Sequence, residues 1–215
     1  MHMKRLLAYG LPALAYLVFF CWYTAFGGPL TESEIDRYVG MLRANGASEA
    51  RIEQVTRFMR EDTGDDFVML NTLDMADHPP DLPATGHNAT PDALLDHYME
   101  FMYPELFARA CHPIFFGDVV FGALDMVGVD QPPAWDRAAL MRYRSRRDMM
   151  EISTNPAFSE RHDYKAGALD RTLAYPVEAS INPADPRFLL AILLLLIAFA
   201  TDTIFGTHAR APKEK

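Results

Sequence analysis

The stretch MRYRSRRDMMEI, Met141–Ile152, sets four arginines within six residues, directly after an apolar tract. Read as a strand that turns into a helix, it fixes the centre of the fold. Alternate residues of a strand share a face, so Arg142 and Arg144 point one way and Tyr143 the other. Ser145 with Asp148 three residues later resembles a capping box with Asp in place of Glu, and opens a helix to about Thr154. Asn155-Pro156 breaks that helix. Arg146 and Arg147 fall in the first helical turn, where the dipole disfavours cations by roughly a few tenths of a kcal/mol. A nearby anion would offset that cost. The sequence leaves two sources open. One is ion pairing with Asp136, Asp148, Glu151 or Glu160; the other is a lipid phosphate or the acid group of a ligand.

Outward from this junction the pattern is regular. Asp136 to Tyr143 precedes it as a strand, behind a turn at Asp130–Pro133. Ile114 to Val129 holds further strand material, and FVMLNTLDM, Phe67–Met75, reads as a strand apolar enough for burial on both faces. Between them Thr90-Pro91 caps a helix to about Cys111, with Pro91 at its first position and Pro104 as a kink; His112-Pro113 ends it. After Asn155-Pro156 a second helical piece runs from Ala157 to about Asp170. An extended segment, Arg171 to Glu178, comes next. Upstream, Thr31 and Glu34 form a capping box for one helix, Asn45-Gly46 stops it, and Ser48 starts another. This hairpin, residues 31–64, reads as a spacer. The order from residue 65 to 180 is β-α-β-β-α-β, that of a ferredoxin-like α+β domain.

Both ends of the 215-residue chain are greasy. Leu6 to Leu30 carries no charge, and roughly 20 apolar residues suffice to span a hydrocarbon core. Residues 1–30 therefore read as a membrane helix, with aromatics crowding its far half; a cleaved signal peptide is the alternative, for which no clean cleavage site is visible. Phe188 to Phe205 is a second apolar run, within a helix over 187–207, with a tail at 208–215. His2, Lys4 and Arg5 flank one run, and His208, Arg210, Lys213 and Lys215 the other. The positive-inside rule then puts both termini in the cytoplasm and the middle outside, in the periplasm if the membrane is a bacterial inner membrane. The short tails leave no cytoplasmic effector domain. A net charge of -9 argues against nucleic-acid binding. Cys21 lies in the first apolar run, so no disulfide with Cys111 is expected.

The pattern Trp135-Asp136, Leu140, Arg142-Tyr143, Ser145-Arg146-Arg147, then Asn155-Pro156 and Phe158, resembles the dimeric α/β-barrel superfamily, in a poorly characterised branch. The resemblance covers about residues 66 to 178. It implies a ferredoxin-like fold whose sheet pairs with a second sheet to close a barrel, hence a homodimer or a larger membrane-protein complex. Some members are cofactor-free monooxygenases and some degrade haem.

The candidate chemistry is sparse. His112 could act as a base in a cleft between helices and sheet, its bland role being to cap helix carbonyls; Tyr143 is a second catalytic candidate, and with Trp135 it could stack on a flat ligand or pack in the core. Arg142, Arg144, Arg146 and Arg147, with Trp135, His97 and Tyr98, are the candidate ligand-binding residues, one of His97 and Tyr98 facing the cleft. Asp74, Asp77, His78 and His87 match no standard metal spacing, so neither metal nor cofactor is expected. Three classes of function stay open, the last two as alternatives to the first. One is a membrane-anchored accessory or assembly subunit acting through its α/β domain. The others are a cofactor-independent enzyme and a binding protein for a hydrophobic or anionic small molecule.

Overall fold

A computed structural model describes residues 2–129 and 134–208, and it separates into two compact units. The turn expected at 130–133 and the basic tail beyond residue 208 lie outside the described residues. One unit pairs helix α1 (His2–Tyr23) with the last helix of the chain (Pro186–His208). Both are long and apolar enough to cross a membrane. Leu6–Tyr23 has a mean hydropathy of 1.7 and Pro186–Ile204 of 2.1. The buried Ala8 and Ala198 fit the rule that small residues let membrane helices approach closely. Asp202 takes a hydrogen bond from the Tyr9 hydroxyl at 3.4 Å, which partners a carboxylate costly to leave alone in an apolar helix.

The second unit, Ala25–Ala179, is an α+β body. Its elements in chain order are α2 (Glu32–Ala44), α3 (Glu49–Arg60), β1 (Phe67–Met75), α4 (Pro91–Ala108), β2 (His112–Asp118), β3 (Arg137–Tyr143), α5 (Arg146–Ser153), α6 (Pro156–Gly167) and β4 (Leu169–Val177). The last helix, in the membrane unit, is α7. The four strands form one sheet in the order β2-β3-β1-β4, every neighbouring pair antiparallel. Helix starts match the capping chemistry of the sequence. Thr31 forms a full capping box with Glu34, and Ser48, Thr90, Ser145 and Asn155 each accept a backbone N–H as N-caps.

The structure corrects three expectations. Helix α4 stops at Ala108, because Ala110 adopts a left-handed backbone (φ 55°) that turns the chain before Cys111. His112 is thus the first residue of β2, not the end of a helix. Strand β2 ends at Asp118, opposite Arg137, where β3 begins; the Val119 N–H still donates to the Asp136 carbonyl at 2.7 Å, and Val120–Val129 then leaves the sheet. The α2–α3 hairpin is no spacer. Leu30, Ile35, Tyr38, Val55 and Met59 bury themselves together with Met150 of α5, so it is an integral layer of the body.

Strand β1 also departs from the expectation of burial on both faces. Phe67, Met69, Asn71 and Leu73 share one face with Tyr143, Met141, Ala139 and Arg137 of β3 and Ala174 of β4. Phe67 and Tyr143 stack there, centroids 5.3 Å apart, in a core completed by Leu94, Tyr98, Met102, Leu106 and Ile152. Burying each such side chain contributes roughly 1.5–3 kcal/mol. The opposite face presents Val68, Leu70, Leu140, Leu173, Tyr175 and Val177. None of the body's helices buries it. Leu173, Tyr175 and Val177 remain 43%, 53% and 44% exposed.

Candidate functional site

The four arginines of the β3–α5 junction reach four different parts of the body. Arg142 is the most buried, its side chain 4% exposed; Nε and Nη2 donate to Asp66 at 2.9 and 2.6 Å, and Nη1 donates to the Ala110 carbonyl at 2.8 Å. Arg144 lies just past the strand and grips Asp148 with two parallel bonds of 2.9 and 2.7 Å. Asp148 also accepts from the Ser145 hydroxyl at 2.6 Å while its own N–H donates to that oxygen; Ser145 is thus the N-cap, but the carboxylate takes its hydroxyl and not its backbone N–H, so the full capping box expected from the spacing does not form. Arg146 donates to the Phe58 carbonyl and to Glu178, and faces Asp62 at 3.6 Å. Arg147 holds Glu34 at 2.7 and 3.1 Å and donates to the carbonyls of Gly28 and Pro29.

The anions that offset the cationic helix start are thus the protein's own. Of the partners named from sequence, Asp148 is used; the others are Asp66, Asp62, Glu178 and Glu34, distant in the chain. The cluster is a hub that fastens the hairpin, the entry to β1 and the exit of β4 to one short helix.

Glu34 records the strength of one spoke. Its bond to Arg147, then the Thr31 backbone N–H, hold its carboxyl down to about 2. A depressed carboxyl stabilises the fold above its unfolded value and loses that contribution as pH falls towards the folded one. Acidification from about 4.5 to 2 should therefore release the α2 terminus. Glu34→Gln should cost about 1 kcal/mol at pH 7, after solvent screening of a pair about a quarter exposed, and little of that at pH 2, where the carboxyl is about half protonated. Thermal unfolding of both chains across that range reads the difference; an equal gap at both ends would contradict it.

A cleft of about 650 Å³ lies on the helix-covered face of the sheet. Its floor is Met69, Asn71, Ala139, Met141 and Tyr143. Tyr98 and Met99 of α4 form one wall, and Phe158, His162 and Lys165 of α6 another. Of the residues picked out from sequence, Tyr98 and Tyr143 line it. His97 does not; its ring packs edge-on against Tyr164 at 4.3 Å and contacts Arg161. Trp135 lies under the Arg171 guanidinium, 5.9 Å away, outside the cleft lining. His112 pairs in register with Arg142, so strand alternation sends it to the face opposite Tyr143, while Pro113 lines the cleft. Its Nδ1 lies 3.0 Å from the Pro113 carbonyl. The two catalytic candidates, His112 and Tyr143, thus lie on opposite faces of the sheet.

Burial pushes the Tyr98 and Tyr143 phenols well above the usual tyrosine range. Both stay protonated at neutral pH, so each is able to donate a hydrogen bond but not to act as a base. Burial also raises Cys111 to about 11, and its sulfur accepts the Arg144 N–H, so this thiol is no nucleophile at neutral pH. Among the described residues no three of His, Cys, Asp and Glu converge as a metal site. Lys165, His162 and Asn71 are cleft residues that sequence reasoning does not single out. A signal exists for two of them: Phe158, His162 and Lys165 recur at i, i+4 and i+7 and so share one helix face.

No family model matches this chain, and no curated protein does. Among solved structures, it is similar to the methylated RPA0582 protein, with a TM-score of 0.51 and 17% identity over 62% of this chain and 93% of that one. A second structure, of the RPA0582 protein of unknown function from Rhodopseudomonas palustris, gives a TM-score of 0.48 and 16% identity over 61% and 94%. At this level of identity the first likeness concerns the fold alone.

Proposed function

We propose that this chain is a two-pass membrane protein of the inner membrane, with an extracytoplasmic accessory or assembly domain that pairs with a second copy of itself through its open sheet face. The observation that carries the reading is that face: apolar along much of β3, β1 and β4, and not covered by any helix of the body. The antiparallel order β2-β3-β1-β4, with helices on one side only, supports a ferredoxin-like body of the kind that closes a barrel between two sheets. The basic flanks of both apolar runs support cytoplasmic termini.

The size of the face is adequate. Four strands of seven to nine residues make a sheet roughly 19 Å wide and 25 Å long, so about 1,000 Å² in total would be buried by two copies, at the lower limit for a specific interface. Two anchors per chain confine the copies to a plane and raise their effective concentration, which lets a modest interface suffice.

The test is the mass of the full chain after gentle detergent extraction. The wild type should run as two protomers. Leu173→Glu with Tyr175→Lys should run as one, with unchanged circular dichroism, because charges at the centre of an apolar interface oppose pairing. A wild type that is a monomer, or that stays with a foreign subunit on this face instead of a second copy, would refute the pairing.

A further inference from the structure

The cleft holds a feature that the pairing of sheets does not use. Lys165 lines it, with Nζ 5.9 Å from the centre of the Tyr98 ring. Among the described residues no carboxylate stands within ion-pair distance of this ammonium, and desolvation alone holds it below the usual lysine range. The other cations of the cleft are engaged: Arg137 by Asp92 and by Asp118 at 3.1 Å, Arg51 by Gln54 at 3.1 Å. Lys165 is half-buried, and a cation lining a cleft with no counter-charge at hand is available to a ligand; such groups mark functional sites.

The phenols of Tyr98 and Tyr143 add an independent sign. These residues are 7% and 9% exposed, they interact electrostatically, and neither hydroxyl bonds to a partner among the described residues. Their oxygens are not sealed from solvent, so a ligand in the cleft can reach both. Around these three polar groups the walls are soft and apolar: Met69, Met99, Met102, Met141 and Phe158. Methionine adapts its shape to what it packs against. The volume suits a small molecule, within roughly 300–1,000 Å³.

From this geometry we propose that the cleft binds an amphipathic monoanion, a carboxylate on an apolar chain, whose charged end pairs with Lys165 and takes hydrogen bonds from Tyr98 and Tyr143. The apolar body lies along the methionines. Asp92, Asp96 and Asp163 stand along the same cleft and disfavour a multiply charged ligand such as a phosphate dianion. The site is distinct from the open sheet face, so the two readings stand or fall separately.

The test uses the full chain in nanodiscs of a zwitterionic lipid, titrated with decanoate and with decanol, with partition into empty nanodiscs subtracted. Decanoate should bind saturably, and decanol at least about tenfold more weakly, because the alcohol cannot form the charge-assisted bond to Lys165. Lys165→Met, close in length and apolar, should lose about tenfold or more for decanoate and nothing for decanol. Lys165→Arg should keep much of the decanoate affinity. Lys165→Met should melt no lower than the wild type, which separates lost recognition from lost folding. Equal affinities for the acid and the alcohol, an unchanged decanoate affinity in Lys165→Met, or no saturable binding to the wild type would each overturn the proposal.

Discussion

Asp66→Ala is expected to destabilise the α/β body by about 3 kcal/mol, the lower end of the range for removing one partner of a buried ion pair. The loss arises in the partner left behind. Arg142 sits at the end of β3 with its side chain almost wholly out of water, and Asp66 supplies its carboxylate through two bonds. Without Asp66 the guanidinium keeps the Ala110 carbonyl but loses its counter-charge. The strand cannot swing it into solvent, because Arg142 is held in register against Val68 of β1 and His112 of β2. The double variant Asp66→Ala with Arg142→Met removes the stranded charge and should recover most of the loss, since a buried ion pair replaced by apolar groups of similar size is often neutral. Denaturant unfolding of the full chain in detergent, monitored by circular dichroism, measures both. A single variant within about 0.5 kcal/mol of wild type would mean that water reaches Arg142, and the hub would then be weaker than its geometry implies.

That pair also marks where the sequence stops being informative. Local rules carry far. The 3.6-residue and two-residue periods, the caps at Thr31, Ser48, Thr90, Ser145 and Asn155, and the breaks at Asn45-Gly46 and Asn155-Pro156 locate the elements of the body. They state short-range chemistry, and short-range chemistry is written in adjacent residues. Asp148 is legible as an arginine partner for the same reason, lying within one helical turn of Arg144. Asp66 and Glu34 are not, because their pairing depends on how the strands register and how the hairpin folds back. The end of α4 is hidden because a left-handed alanine at 110 breaks a helix without the Gly that normally announces it. The same break decides His112. A residue that ends a helix can border the cleft, whereas the first residue of β2 takes the parity of Arg142 and points to the other face. Spacing puts Lys165 on one helix face with Phe158 and His162, but does not mark it as a binding residue, because a lysine on a helix is usually solvated. Only the missing carboxylate, which is a fact of three dimensions, sets it apart.

The hub has a second point of weakness, where backbone meets backbone. Gly64 has a φ of 84°, and a Cβ built there would lie 2.8 Å from the Gly28 carbonyl carbon, 2.9 Å from its Cα and 2.9 Å from the Pro29 nitrogen. The neighbours are main chain, so no side-chain rotation can relieve the clash. Its surroundings are also pinned. The Gly64 N–H donates to Asp62 at 3.1 Å, Asp62 accepts the Leu30 N–H at 2.9 Å, and Arg147 reaches the carbonyls of Gly28 and Pro29. Gly64→Ala should therefore cost about 3 kcal/mol or more, roughly 1–2 for the left-handed backbone and the rest for overpacking. Gly46→Ala is the control. Gly46 has nearly the same φ, 78°, but nothing within 4 Å of its Cβ position, so only the backbone share, about 1 kcal/mol, should appear. Thermal unfolding of the two variants side by side isolates the clash. Gly64→Ala should also speed proteolysis of the Gly28–Leu30 segment, since pushing it outward breaks the bonds to Asp62 and Arg147 together. Equal melting of the two variants would show that this segment moves aside freely, and that the arginine hub does not fasten the start of the body as its hydrogen bonds indicate.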